Sequence, residues 1–165
     1  MKEIKKGATN IPGRELILTR VFDAPRDLVF KAWTDPAHVA QWWGPKGFTN
    51  PLCTWEARAG GRIRVEMRPP NGDSHPMGGG FREIVPLKKL VFTTTAFFDN
   101  AGEPMIENLN TVTFEDSPEG TKVTLHVVVL RATPEVVGPL AGMKEGWSQS
   151  LDKLGALIAN TKTPR

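Results

Sequence analysis

Tyrosine is missing from these 165 residues, and cysteine occurs once, at Cys53. A single thiol forms no internal disulfide, so a disulfide-stapled extracellular framework is excluded. The sequence has no apolar run of about 18 residues and no secretory leader pattern, which excludes stable membrane insertion by a helix. These absences point to a soluble chain of a reducing compartment, with the cytoplasm as the expected location. Charge of one sign is not concentrated anywhere either. The net charge is +3 and the pI about 9.2, yet acidic residues alternate with basic ones throughout. Nucleic-acid binding calls for a basic patch or stripe, so no nucleic-acid partner is expected. The three histidines, His38, His75 and His126, fall in a helix, a loop and a strand without paired spacing, and no second cysteine joins them. That pattern supplies no metal site.

Catalytic motifs are equally scarce. Gly146-Trp147-Ser148-Gln149-Ser150 lacks the second glycine of a nucleophile elbow and lies within a helical pattern, not at a strand-to-helix turn. Gly78-Gly79-Gly80 carries neither a dinucleotide fingerprint nor a phosphate-loop lysine and precedes a strand, so a bulge or sheet bend is expected there. No catalytic residue and no cofactor follow from the motifs.

What the chain does have is an amphipathic terminal segment. From Thr133 to Asn160, Leu140, Met143, Trp147, Leu151, Leu154 and Ile158 recur at spacings of three and four, one apolar stripe on a helix. Thr133 is the expected N-cap and Pro134 the first helical position; Gly138-Pro139 is the expected break, with the long helix starting nearer Leu140. The stripe needs a cover, and the upstream segments supply it. Glu15–Asp23 reads as a strand. Pro25 opens a short helix with Leu28, Val29, Ala32 and Trp33, and Asp35-Pro36 opens a second with Val39, Ala40, Trp42 and Trp43, closed by Gly44-Pro45.

From Phe48 to Arg131 the apolar period becomes two. Strands are expected near Phe48–Arg58, Arg62–Arg68, Met77–Val85, Leu90–Phe98, Met105–Glu115 and Lys122–Leu130, joined by short turns that imply antiparallel neighbours. The chain thus reads as a flexible lead-in over 1–14, a single α+β domain over 15–160 and a tail over 161–165. One such domain buries roughly 70% of its unfolded surface.

The phrase VFDAPRDLVFKAWTDPAHVAQWWGP, followed by EARAGGRIRVEM, GGGFREIVPLKKLVFTT, NTVTFEDSPEGTKVTL and GWSQSLDKLGALI, resembles the homologue-like family of the activator of the heat-shock-protein-ninety ATPase. That family lies within the START-like, birch-pollen-allergen-like (SRPBCC) superfamily. The resemblance implies a helix-grip fold: a curved seven-stranded antiparallel sheet around a long C-terminal helix, two short helices after strand 1, and a cavity between sheet and helix. It also implies a choice of roles. The superfamily contains carriers of hydrophobic molecules, polyketide cyclases and aromatases, and co-chaperone domains of the stress response, so a cavity enzyme of the cyclase or hydrolase type and a chaperone-activator-like module stand beside simple ligand binding.

The residues lean toward binding. Five tryptophans and eight phenylalanines without tyrosine favour an apolar interior or pocket. The expected ligand is a hydrophobic or aromatic small molecule, bound by a monomer or homodimer. Expected apolar contacts are Trp43, Phe48, Trp55, Phe92, Phe114, Met143, Trp147 and Leu151. Asn108 and Asn110 share strand parity with Val112 and Phe114; they orient the ligand if that parity faces the helix throughout, and sit in water if a bulge reverses it. Trp147 is either core or cavity wall. Trp42-Trp43 either anchors the short helices or, with the Gly44-Pro45 bend, guards an opening. Met67 is a further wall candidate. Glu66 is expected on a solvated face with Arg62, Arg64 and Arg68. Glu83 and Glu107 are the carboxylates that an enzyme would direct into the cavity.

Overall fold

The computed structural model describes residues 15–162. The lead-in expected over 1–14 and the last three residues of the expected tail lie outside the described residues; Thr161 and Lys162 continue the terminal helix. Strand β1 (Glu15–Phe22) is followed by helices α1 (Arg26–Thr34) and α2 (Pro36–Trp42). Strands β2 (Thr49–Trp55), β3 (Arg62–Arg68), β4 (His75–Val85), β5 (Lys89–Phe98), β6 (Pro104–Ser117) and β7 (Gly120–Ala132) come next. A 3-10 turn (Pro134–Val136), a short helix α3 (Val137–Ala141) and the long helix α4 (Met143–Lys162) close the chain.

The seven strands form one antiparallel sheet in the order β1-β7-β6-β5-β4-β3-β2. The crossover from β1 to β2, at opposite edges of the sheet, is made by α1 and α2; β2 to β7 follow as successive hairpins, and β7 pairs back with β1. Alternation explains the sheet: Val123, Leu125, Val127 and Val129 of β7 are buried, as are Ile106, Asn110, Val112 and Phe114 of β6, with the half-buried Asn108 on the same parity, while residues of the opposite parity face outward. Besides a register shift at the β2–β3 edge between Thr49 and Leu52, two irregularities interrupt it. The β6–β7 register shifts between Glu107 and Asn108, where the extra residue, Leu130, is on β7. The β4–β5 register shifts between Phe81 and Glu83. The first matters for the site, because β7 absorbs the bulge and β6 keeps its parity through Asn108.

Helix caps follow the sequence closely at one end and not at the other. The Asp35 carboxylate accepts the Ala37 N–H at 2.9 Å, with Pro36 at the first helical position. The terminal helix, by contrast, does not break at Gly138-Pro139 or start near Leu140. The break falls at Gly142, whose N–H donates to the carbonyls of Gly138 and Pro139 at 3.2 Å, and α4 begins at Met143. Pro139 sits in the first turn of α3, where its missing N–H has no helical partner to lose. Leu140 therefore belongs to α3, and Thr133, although it precedes the 3-10 turn, makes no side-chain capping bond.

Between α4 and the sheet lies an aromatic layer. Trp33 and Trp42, both fully buried, pack edge to face with centroids 4.7 Å apart, and Trp55 contacts Trp43, Phe81 and Phe92 at 5.1 to 5.5 Å. Two of the buried indoles find backbone acceptors: Trp42 Nε1 donates to Ala32 O at 2.9 Å and Trp55 Nε1 to Trp33 O at 2.8 Å, whereas the buried Trp33 Nε1 has no hydrogen-bond partner. Glu66 pairs with Arg64 at 3.8 Å on the outward face, as its parity implies.

Candidate ligand cavity

The first turns of α4, the bend after α2 and the concave side of β3 to β6 do not close on one another. They leave a cavity of about 170 Å³. Its aromatic wall is Trp43 and Trp147, whose rings meet edge to face at 5.2 Å and 83°. Met67, Met77 and Met143 supply three flexible thioethers, Ala96 and Ile106 complete the apolar floor, and Thr94, Asn108 and Ser150 are the polar side chains. Met67, Asn108, Met143 and Trp147 are only half-buried, so solvent reaches the space.

β6 parity brings Asn108 into this space. Its Oδ1 is buried and without a hydrogen-bond partner, and its Nδ2 has only the Met143 sulfur at 3.9 Å. A buried unpaired acceptor costs about 1–3 kcal/mol, which a ligand with an O–H or N–H donor would recover. Asn110 lies one step deeper and is fully buried. Its Nδ2 donates to Phe92 O at 3.2 Å and to Thr94 Oγ1 at 3.1 Å. Because Asn110 takes up an acceptor position on Thr94, the Thr94 hydroxyl proton is free to donate elsewhere. Asn110 thus positions a cavity hydroxyl and does not line the cavity itself.

The other sequence-derived contacts divide by depth. Trp43, Asn108, Met143 and Trp147 stand on the wall, together with Met67. Trp55, Phe92, Phe114 and Leu151 have the expected inward parity but belong to the buried core and do not line the cavity. Phe48 lies in the bend, beside Gly44, and does not reach the wall. Parity fixes the face of a residue; it does not say how far along the strand the helix stops covering it. Thr94 and Ser150 stand on the wall without being among the expected contacts, although both carry a signal: Thr94 shares parity with Leu90 and Phe92, and Ser150 falls three residues after Trp147.

Glu83 and Glu107 do not enter the cavity. Glu83 follows the β4 bulge, is about half exposed and pairs with Lys89 at 3.3 Å. Glu107 has the parity opposite to Ile106 and Asn108 and lies across from Arg131 on the outer face. The residues lining the cavity include no carboxylate, imidazole, thiol or amine. Among the described residues no three His, Cys, Asp or Glu side chains are grouped to hold a metal ion, and no helix is long and apolar enough to cross a membrane. His126 Nε2 is 2.6 Å from Glu15 Oε2 on the sheet surface.

One charged group braces the wall from behind. Lys153 Nζ donates toward the carbonyls of Trp43 (3.4 Å), Gly44 (3.2 Å), Pro45 (3.2 Å) and Phe48 (3.2 Å). The bend between α2 and β2 turns on Gly44 and Gly47, with φ of +93° and +87°, and such a turn takes its carbonyls out of the regular helix and strand ladders, although Pro45 O still accepts the Phe48 N–H at 3.0 Å. The ammonium collects four of them. Burial pushes the Lys153 pKa below its ordinary value. Gln149 Oε1 accepts the Lys46 N–H at 3.0 Å and Asn50 Nδ2 donates to Trp43 O at 2.9 Å, so the bend is held from both sides.

A family model described as Activator of Hsp90 ATPase homolog 1-like protein matches residues 23–159. The chain belongs to this family. Solved structures agree on the fold of this Hsp90-ATPase-activator-like member. A crystal structure of a protein from Chromobacterium violaceum is 27% identical, with a TM-score of 0.76 over 88% of this chain and 97% of that one. The AHSA1 protein from Silicibacter pomeroyi is 24% identical, with a TM-score of 0.76 over 89% and 99%, and a solution structure from Arthrobacter aurescens is 23% identical, with a TM-score of 0.76 over 90% and 87%. No curated relative matches the chain. The helix-grip architecture of the SRPBCC type is therefore that of the family, a scaffold that typically binds ligands.

Proposed function

We propose that this protein binds a small apolar or aromatic molecule carrying a hydrogen-bond donor in the cavity between the sheet and α4. The carrying observation is the combination of an apolar space, walled by Trp43, Trp147 and three methionines, with the unpaired Asn108 Oδ1 inside it. The size supports a ligand, or a ligand portion, of one ring: about 170 Å³ is comparable to the roughly 150 Å³ apolar cavities that hold benzene. Thr94 and Ser150 hydroxyls would complete the orientation of its polar group. Binding without turnover is favoured because acid–base chemistry needs an ionisable group at the reacting atom, and Glu83 and Glu107 lie outside the cavity.

Calorimetric titration with phenol and toluene tests this reading. Phenol, which offers both a ring and a donor, is expected to bind one to one and more tightly than toluene. Asn108→Leu should cost phenol about tenfold and leave toluene unchanged or improved. Absence of saturable binding by either probe, or equal loss of both in Asn108→Leu, contradicts the proposal. Native mass spectrometry with organic extraction then identifies the natural ligand.

A further inference from the structure

A second apolar recess lies next to the cavity, toward the end of β5. Met67 and Ala96 line both spaces and so form the partition between them; Phe97, Phe98 and Met105 line the outer one, which measures about 280 Å³. The two lie in line along one strand. Thr94 marks the inner end and Phe98 the outer, four residues apart, or roughly 13 Å at strand rise. The partition is soft on one side, because Met67 is unbranched and half-buried, and low on the other, where Ala96 has only a methyl group.

The outer recess keeps aromatic surface in water. Phe97 is 42% and Phe98 38% exposed, side by side. Phe97 also has φ of +55°, a left-handed conformation that strains a bulky residue and that glycine or asparagine adopts readily. Backbone strain and an exposed ring coincide at one residue, on the rim of a space that shares Met67 and Ala96 with the cavity. His75 is the single titratable side chain on that recess, which suits an uncharged occupant.

We infer that the outer recess is the second half of the ligand site, and that the ligand is an elongated, uncharged molecule. Its donor-bearing ring occupies the cavity at Thr94 and Asn108, and a second ring or equivalent apolar tail passes between Met67 and Ala96 to lie against Phe97 and Phe98. This rests on the binding function proposed above and adds the length and class of the ligand. It also accounts for the small volume of the inner cavity, which holds only one end.

Calorimetry with phenol and 4-phenylphenol on the full chain separates the two ideas. In the unaltered protein 4-phenylphenol should bind at least about tenfold more tightly than phenol, because the second ring leaves water. Phe97→Asn, chosen because asparagine tolerates the left-handed conformation, should remove most of that advantage while phenol affinity stays the same; Phe98→Thr should act in the same direction. An advantage that persists in both variants, or no advantage in the unaltered protein, overturns the inference while phenol binding stands. If neither compound binds, the proposed function fails and this inference with it.

Discussion

The indole rings of Trp43 and Trp147 meet edge to face, their centroids 5.2 Å apart at 83°. Trp43 ends the crossover helices and Trp147 lies on the second turn of α4, so this contact joins the two boundaries of the cavity into one wall. Trp147 also stacks on Trp33 at 6.2 Å and 20°, which ties the wall to the core. The same side chain is therefore both packing and cavity lining, at different energetic weights.

That division is measurable. Trp33 is fully buried and Trp147 half-buried. Trp33→Ala should cost about 4 kcal/mol and Trp147→Ala about 2 kcal/mol, since only part of the second ring leaves a packed environment. For a chain of this size each kcal/mol lowers Tm by roughly 2–4 °C. Denaturant melts of both variants that show equal losses would remove Trp147 from the cavity wall and place it in the core.

Lys153 should control the bend and little else. Replacing it by methionine keeps the stem and removes the donor from four carbonyls. An exposed-for-buried exchange of that kind costs about 1–2 kcal/mol locally. The amides of Trp43, Lys46 and Phe48, which are bonded to Val39, Gln149 and Pro45, should exchange hydrogen about tenfold faster in Lys153→Met. The β6–β7 ladder should exchange as before. Uniform acceleration across the sheet would mean that Lys153 supports the whole fold and not this segment.

Two adjacent glycines give unequal expectations. A Cβ at Gly79, where φ is +146°, would sit 1.9 Å from the Thr93 carbonyl oxygen, a backbone atom of β5. At Gly78 it would be 3.3 Å from the Thr95 hydroxyl, a side chain able to rotate. Gly79→Ala should destabilise by about 3 kcal/mol or more and Gly78→Ala by less than about 1 kcal/mol. Chemical denaturation decides, and similar losses at both sites would show that the close approach of β4 and β5 is not what Gly79 provides.

The thiol of Cys53 should be slow to react. Burial raises its pKa from 9.0 to about 11, so little thiolate exists at pH 8 and alkylation by iodoacetamide should lag well behind a free cysteine. The sign for stability follows: the neutral thiol is favoured in the fold, so its contribution is full below pH 9.0 and is lost as pH rises through about 11. Lys153 works in the opposite direction. Its lowered pKa means that burial of the charge weighs against the fold at neutral pH and is relieved as pH rises toward 10.5. Comparing pH-dependent melts with Cys53→Ala isolates the thiol: the difference between the two proteins should shift against the unaltered chain above pH 9. A difference that is constant with pH contradicts the assignment.

Much of this architecture is legible in the residues. Alternation at β7 and the Asp35-Pro36 cap name their elements because local sterics and burial agree there. The helix break is less so: Gly138-Pro139 looks like a stop, yet a proline in the first turn loses no bond, and the true break needs Gly142 to be seen with its acceptors. Asn108 and Asn110 show the limit for the site. Their shared parity is correct, but one lines the cavity and the other lies under it, a difference set by where α4 leaves β6 uncovered. Thr94 becomes functional in appearance only through Asn110, a cross-strand bond that no spacing in the sequence records.

Methyl-labelled methionine offers the most direct test of the central claim. Met67, Met77 and Met143 line the cavity, and Met105 does not. Adding phenol to the protein should shift the methyl resonances of the first three along one saturable curve, strongly because the two indoles flank them, and leave Met105 in place. Saturating phenol that moves none of the three, or that moves Met105 as much as they move, would contradict the cavity as the ligand site.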